Sequence, residues 1–247
     1  MTGLSARALT VTYGGVRAVD GVGLAVEPGT LTGLIGPNGA GKTSIIDALS
    51  GFVGYRGTVR LGATVLDGLA PHERARCGLV RTFQTVELFD DLDVHGNLAV
   101  AAEPAGIRRA LRDLVAPRRA PTGDRLDRAV ELVGVGHLLG RSTGELSEGE
   151  RKLVGLCRAL VAAPRVLLLD EPAAGLDTGE SRVLGTTLRS VVDAGTAVLL
   201  IDHDMDLVLS ACDVVHVVDG GRLIASGSPG EVRDDERVVR AYLGVEA

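Results

Sequence analysis

Apolar and polar positions alternate over residues 7–13 and again over 22–26, the period of a half-buried strand. Tyr13-Gly14-Gly15 lies between them and reads as a turn, so an antiparallel pair is predicted. Residues 31–35 form a short apolar run of buried-strand length. Residues 42–50 read as a helix closed by Gly51. Residues 57–61 and 64–66 read as a hairpin around Gly62. Residues 71–77 read as a short helix opened by Pro71, and 79–83 as a further strand. The pattern then changes. From about Val94 to Leu160 no strand is evident. Leu126, Ala129, Val130 and Val133 recur at helical spacing, as do Leu153, Leu156, Cys157 and Leu160. Alternation of strand and helix returns with Val166–Leu169. Next come a helix at 180–194, strands at 197–201, 214–218 and 222–225, a helix at 205–211 and a charged helix at 234–240. Continuous apolar strands between helices point to a parallel sheet covered on both faces. The predicted organisation is one α/β domain with a helical subdomain inserted at about residues 85–162.

The chain has 247 residues, 45% of them apolar, enough for a sizeable core. Its longest aliphatic runs, such as Ala197–Ile201, are far shorter than the roughly 18 residues of a membrane span. The opening MTGLSARALTVTYGG lacks the basic and apolar blocks of a secretory signal. A cytoplasmic protein is expected, reaching a membrane only through partners. Net charge is −6, and the basic residues are 24 Arg and two Lys with no cluster beyond pairs such as Arg118-Arg119. Nucleic acid is therefore not an expected partner. The three cysteines, Cys77, Cys157 and Cys212, have no metal-ligand spacing and read as reduced, buried thiols.

Residues 36–43 read GPNGAGKT, a G-x-x-x-x-G-K-[ST] segment between a predicted strand and a predicted helix. Small residues let backbone N–H groups turn onto phosphate oxygens, and the helix N-terminus adds a positive end. Lys42 supplies a mobile cation for the β/γ-phosphates, and the Thr43 hydroxyl is placed to ligate Mg²⁺. A nucleoside triphosphate is the expected ligand. Asp170 ends the strand Val166–Leu169, where open α/β sheets bind ligands, and can hold Mg²⁺ through water. Glu171, one residue on, is placed as a general base for an attacking water. His203 follows another strand end and can hydrogen-bond a γ-phosphate. Ser147 and Glu150 read as a capping box opening a helix.

In their order these blocks resemble the ATP-binding subunits of ABC transporters over essentially the whole chain. The blocks are Tyr13, GPNGAGKTS, Gln84 in RTFQ, LSEGE at 146–150, LLLDEP, AAGLD and His203. The resemblance implies a P-loop NTPase core of the RecA type, a mixed sheet with an antiparallel β subdomain and an inserted α-helical subdomain. It implies that Tyr13 stacks on adenine. Gly36, Pro37, Asn38, Gly39, Ala40, Gly41, Lys42, Thr43 and Ser44 would cradle phosphates and metal. Gln84 would contact Mg²⁺ and the lytic water. Asp170 would anchor Mg²⁺, Glu171 would act as base and His203 would sense the γ-phosphate. Asp177 would cross a head-to-tail dimer interface, and Ser147 and Gly149 would clamp ATP held by the second subunit. The signature departs from the family's LSGGQ at Glu148 and Glu150. Glu148 puts a negative charge near a triphosphate, which opposes clamping unless it points to solvent or an Arg.

Residues 78–101, 201–208 and 237–244 resemble the subunits of branched-chain amino-acid importers and their amide relatives, features that lipopolysaccharide-export ATPases share. The implied partners are transmembrane permease subunits, a second ATP-binding subunit and, indirectly, an extracytoplasmic solute-binding protein. Two other readings stand beside this one. Soluble ABC ATPases of DNA repair and chromosome upkeep carry long coiled coils between the phosphate loop and the signature, here only 104 residues apart from Lys42 to Leu146. Those of translation usually carry two ATPase domains in one chain, where this one has a single set of motifs. A GTPase switch needs an N-K-x-D segment, and neither Lys follows an Asn.

Overall fold

Strands β1 (Leu4–Tyr13) and β2 (Val16–Val26) pair antiparallel, from Leu4↔Val26 to Tyr13↔Val16. Both run longer than the alternation predicts. Irregular register between Ala6 and Thr12, with Ala8 at positive φ, breaks the period while pairing continues. Gly14 and Gly15, both at positive φ, make the two-residue turn. With β4 (Arg56–Leu61) and β5 (Thr64–Val65) these strands form a four-stranded antiparallel sheet in the order β2-β1-β4-β5. This computed structural model describes residues 3–82, 87–102 and 122–243.

A second sheet contains β3 (Leu31–Ile35), β6 (Leu79–Arg81), β7 (Val166–Asp170), β8 (Ala197–Ile201), β9 (Val214–Asp219) and β10 (Arg222–Gly227). Its order is β10-β9-β3-β8-β7-β6. The pairs from β6 to β9 are parallel, and β10 returns antiparallel on β9, so the sheet is mixed. Every residue of β3 and β8 is buried, as expected of central parallel strands. Leu34 joins Ile45, Ile46 and Leu49 of helix α1 (Lys42–Ser50) in the core shared with the antiparallel sheet. Neighbouring Gly33 faces the other way, where a Cβ would lie 2.9 Å from Val208 Cγ1 of a later helix. Both faces are thus covered. Helix α1 ends at Gly51 in the left-handed region. Arg74, on α2 (Pro71–Arg76), donates to the α1 carbonyls of Ala48 and Leu49 at 2.8 and 2.7 Å, complementing the negative helix end.

The chain divides into two compact units, one of residues 1–84 and 164–247 and the other of 85–163. The second holds α3 (Val94–Ala102), α4 (Thr122–Val133) and α5 (Glu148–Val161). Among its described residues there is no strand longer than one bridge. Leu126, Ala129, Val130 and Val133 are buried as their spacing predicts. On α5, Leu156, Cys157 and Leu160 are buried but Leu153 is only half-buried, and Lys152 and Val154 are buried instead. Helix α5 packs against both α3 and α4, which widens its covered arc beyond one stripe.

In the first unit, α6 (Thr178–Asp193) and α7 (Met205–Ala211) follow β7 and β8. The C-terminal part forms two helices, α8 (Pro229–Arg233) and α9 (Glu236–Leu243), where the pattern predicts one. Ser228 caps α8, with Pro229 at its first position and Glu231 closing a capping box. No helix among the described residues is long and apolar enough to cross a membrane.

Candidate functional site

Strands β7, β8 and β3 lie side by side and end level, because Asp170 pairs with Ile201 and Leu34 with Ile201. Residues 36–43, 170–171 and 202–203 therefore leave the sheet at one edge, the carboxyl edge where open parallel sheets take ligands. The loop after β3 needs its glycines. Gly36 (φ 156) has no room for a Cβ, which would meet Val218 O at 2.0 Å. At Gly41 (φ 102) a Cβ would meet Ala18 O at 2.5 Å. Asn38 and Gly39 are exposed and Ala40 is buried. Gly41 caps α1 with no side-chain acceptor, so the first-turn N–H groups, including those of Thr43 and Ser44, offer an anion-binding helix end. Lys42 Nζ curls back to donate to Gly36 O at 2.7 Å and Pro37 O at 3.0 Å. Burial pushes Lys42 below the usual lysine range, and the nearby Glu171 carboxylate partly restores it.

Asp170 ends β7, with its side chain 14% exposed. Glu171 sits at φ 49, a left-handed conformation that costs a residue with a side chain energy unless its surroundings hold it. Two bonds do so. Glu171 N donates to Ile201 O at 2.7 Å, and Ala173 N donates to Asp202 Oδ2 at 2.9 Å. His203 is exposed, its Nδ1 3.9 Å from Glu171 Oε2 and 3.7 Å from Asp202 Oδ1. Both distances exceed a hydrogen bond, so the imidazole stands beside the carboxylates without being locked to them.

Two residues that the motif reading passed over organise this edge. The Asp202 side chain is fully buried and accepts three backbone N–H groups, from Ala173, His203 at 2.8 Å and Asp204 at 3.0 Å. It joins the turn after β7 to the turn after β8. Arg81, at the end of β6, donates to Asp47 Oδ1 at 2.6 Å, Ser50 Oγ at 3.1 Å and Asp170 Oδ2 at 2.8 Å. An arginine in a short apolar strand and a carboxylate next to a strand-end His were the available signals.

Tyr13 ends β1 with 46% of its surface exposed, a free aromatic face at the β1–β2 turn. Asp177 caps α6, accepting from Gly179 N at 2.7 Å and Glu180 N at 2.8 Å. Gln84 lies outside the described residues. In the second unit Ser147 caps α5, accepting from Glu150 N, while Glu150 accepts from Ser147 N at 2.8 Å. The Ser147 hydroxyl keeps its own proton for donation. Gly149 is buried. Glu148 is exposed to solvent, and Glu150 pairs with Arg141 at 2.8 Å. The N–H of Ser147, ahead of Arg141, holds Glu150 below the usual carboxylate range. Both departures from the family signature are thus locally accommodated. The donors at the carboxyl edge, the Thr43 hydroxyl and the Asp170 carboxylate, are hard oxygens of the kind Mg²⁺ takes. No trio of His, Cys, Asp or Glu among the described residues forms a metal cage. Such a set suits a metal that arrives with phosphate oxygens supplying further ligands.

The family model described as ABC transporter matches residues 19–174. A second, described as branched-chain amino acid ATP-binding cassette transporter, matches residues 222–247. The chain is 39% identical over 251 residues to LivG of Escherichia coli (strain K12), a high-affinity branched-chain amino acid transport ATP-binding protein, covering 98% of this chain and 97% of LivG. It is 37% identical over 245 residues to LptB of the same organism, a lipopolysaccharide export system ATP-binding protein, covering 99% and 98%. The solved ADP conformation of MJ1267, an ATP-binding cassette of an ABC transporter, superposes with a TM-score of 0.86 at 30% identity, over 99% of this chain and 100% of that one. With a phosphate loop, a strand-end acidic pair and these end-to-end likenesses, the chain belongs to the ABC transporter family, as one of its ATP-binding ATPase subunits.

Proposed function

We propose that the chain binds MgATP at the carboxyl edge of its mixed sheet and hydrolyses it to drive a membrane permease. The observation that carries this reading is the convergence at one sheet edge of Lys42, curled into the phosphate loop, and the acidic pair Asp170-Glu171 where β7 ends. A phosphate-binding cation and a base then share one site. Lys42 would leave its resting carbonyl partners for β- and γ-phosphate oxygens, while the first-turn N–H groups of α1 hold the rest of the triphosphate. Thr43, Asp170 and Gln84 would hold Mg²⁺, which when bound offsets negative charge on the phosphates. Glu171 takes a proton from water as the water oxygen attacks the γ-phosphorus. The bond to the bridging oxygen breaks, leaving ADP and phosphate. His203, exposed beside Glu171, would hydrogen-bond the γ-phosphate, and Tyr13 would stack on adenine.

A second ATP-binding subunit, docked head to tail, would supply Ser147 and Gly149 to each nucleotide, with Asp177 at the interface. Cargo follows from likeness. LptB is the more distant relative of the two, and the match at residues 222–247 also favours import of branched-chain amino acids or related amides. The chain would sit on the inner face of the cell membrane through transmembrane permease subunits. An extracytoplasmic solute-binding protein would deliver cargo, with no role for nucleic acid.

The test uses Glu171→Gln. Turnover should fall by roughly 10²–10⁴ while ATP binding persists, and sedimentation with ATP should show a dimer. Adding Ser147→Arg should abolish the dimer and leave ATP bound to the monomer. Near wild-type turnover in Glu171→Gln would remove the base from this mechanism. A dimer that persists in the double variant would reduce Ser147 to a helix cap.

A further inference from the structure

We propose that Arg81 is a positioning residue that sets the relation between the two protein groups facing the metal, Thr43 and Asp170. The inference rests on the reading of those two groups given above. Thr43 lies on α1 and Asp170 ends β7, and these are separate elements of one unit. Asp47 stands four residues after Thr43, one helical turn along the same face of α1. Arg81 Nη1 donates to Asp47 Oδ1 at 2.6 Å, and Nη2 donates to Asp170 Oδ2 at 2.8 Å. A planar guanidinium holds both carboxylates at a fixed angle and separation, which a lysine ammonium cannot do. Two further contacts fix the guanidinium. Ser50 Oγ accepts from Nη1 at 3.1 Å, and the Phe52 ring lies 5.6 Å from Arg81 Cζ. The Arg81 side chain is 8% exposed, so water competes little for these bonds.

The arrangement aims Asp170 as an outer-sphere partner aims a ligating carboxylate. The single positive charge of Arg81 is shared between two acidic side chains on different elements, α1 and β7. A purely structural arginine would support folding. A positioning arginine must in addition govern how much Mg²⁺ strengthens nucleotide binding.

The experiment titrates a fluorescent ATP analogue into the full chain, with Mg²⁺ and with EDTA, for wild type, Arg81→Met, Arg81→Lys and Asp47→Asn. Circular dichroism and thermal melting check each fold. In wild type Mg²⁺ should tighten binding. In Arg81→Met the EDTA affinity should stay near wild type, while the Mg²⁺ enhancement should shrink by about ten- to a hundredfold. Arg81→Lys keeps the charge but loses the fork and should recover only part of the enhancement. Asp47→Asn leaves Arg81 and Asp170 intact, weakens one arm and should also lose part of it, which keeps the test decisive if Arg81→Met does not fold. A folded Arg81→Met with the full Mg²⁺ enhancement overturns the proposal and leaves the reading of Thr43 and Asp170 standing. A wild type that gains nothing from Mg²⁺ overturns both.

Discussion

Asp202→Asn is the sharpest test of how the carboxyl edge is held together. The wild-type carboxylate takes Ala173 N–H on Oδ2 and the N–H groups of His203 and Asp204 on Oδ1. An amide has one acceptor oxygen and one NH₂. In the orientation that costs least, its oxygen keeps His203 and Asp204 and its NH₂ faces the buried Ala173 N–H, donor against donor. Losing one charge-assisted bond leaves a buried donor without an acceptor, which costs about 1–3 kcal/mol, and weakening the two surviving bonds from charged to neutral adds about 1 kcal/mol. The total is about 2–4 kcal/mol. For a chain of this size that lowers Tm by roughly 5–15 °C. The chain contains no Trp, so calorimetry or far-UV circular dichroism is the suitable readout. The loss has an address as well as a size. Ala173 lies two residues after Glu171, whose φ of 49 is held by the same turn. Amide exchange at Ala173 should therefore speed up, and turnover should fall while ATP affinity is kept. A Tm within about 2 °C of wild type, with Ala173 still protected, would show that the three bonds are incidental.

Tyr13→Ala should weaken ATP binding by roughly 1–3 kcal/mol if the exposed ring stacks on adenine, with Tyr13→Phe near wild type. An unchanged dissociation constant by calorimetry would leave Tyr13 a strand-end packing residue. Burial pushes the Cys157 and Cys212 thiols up to about 12, so their thiolates are scarce near neutral pH and react slowly. Ellman titration of the native chain should count half-buried Cys77 as the fast thiol and release the other two only on denaturation. Three fast thiols would contradict the burial. His216, buried on β9 with Nε2 3.1 Å from Ala25 O, is pushed below its ordinary 6.5 chiefly by burial. Its folded-state pKa is depressed, so the unfolded chain takes up the proton first as pH falls below 6.5. Its contribution is whole above that pH and is lost on acidification. His216→Gln should flatten the stability slope there, and an unchanged slope assigns the acid sensitivity elsewhere.

What the sequence discloses and what it hides divide along a physical line. Strands β3, β7 and β8 are legible because each is a short apolar run ended by glycine or acid, and strand ends are where the chemistry sits. The Ser147–Glu150 capping box is legible because both partners lie within one turn. The long reach of the remaining contacts is what hides them. Arg81 meets residues 34 and 89 positions away, and Asp202 meets one 29 positions away. No periodicity reports such pairings, since hydrophobic pattern encodes which face is buried and not which charges meet across elements. The same limit explains the hidden burial of Lys152 and Val154, which lie off the apolar stripe of α5 and are covered because two neighbouring helices pack against it. It explains Glu171 as well. Nothing in Asp170-Glu171-Pro172 announces a left-handed residue, because that conformation is imposed by Ile201 and Asp202 from the next strand. The hidden residues have one property in common: each joins two elements. Motif residues supply the reacting groups, and these joints fix the distances between them. Substitution at a motif residue should therefore remove a function outright, whereas substitution at a joint should leave every group present but misplaced. Turnover or metal dependence should then be lost before nucleotide affinity.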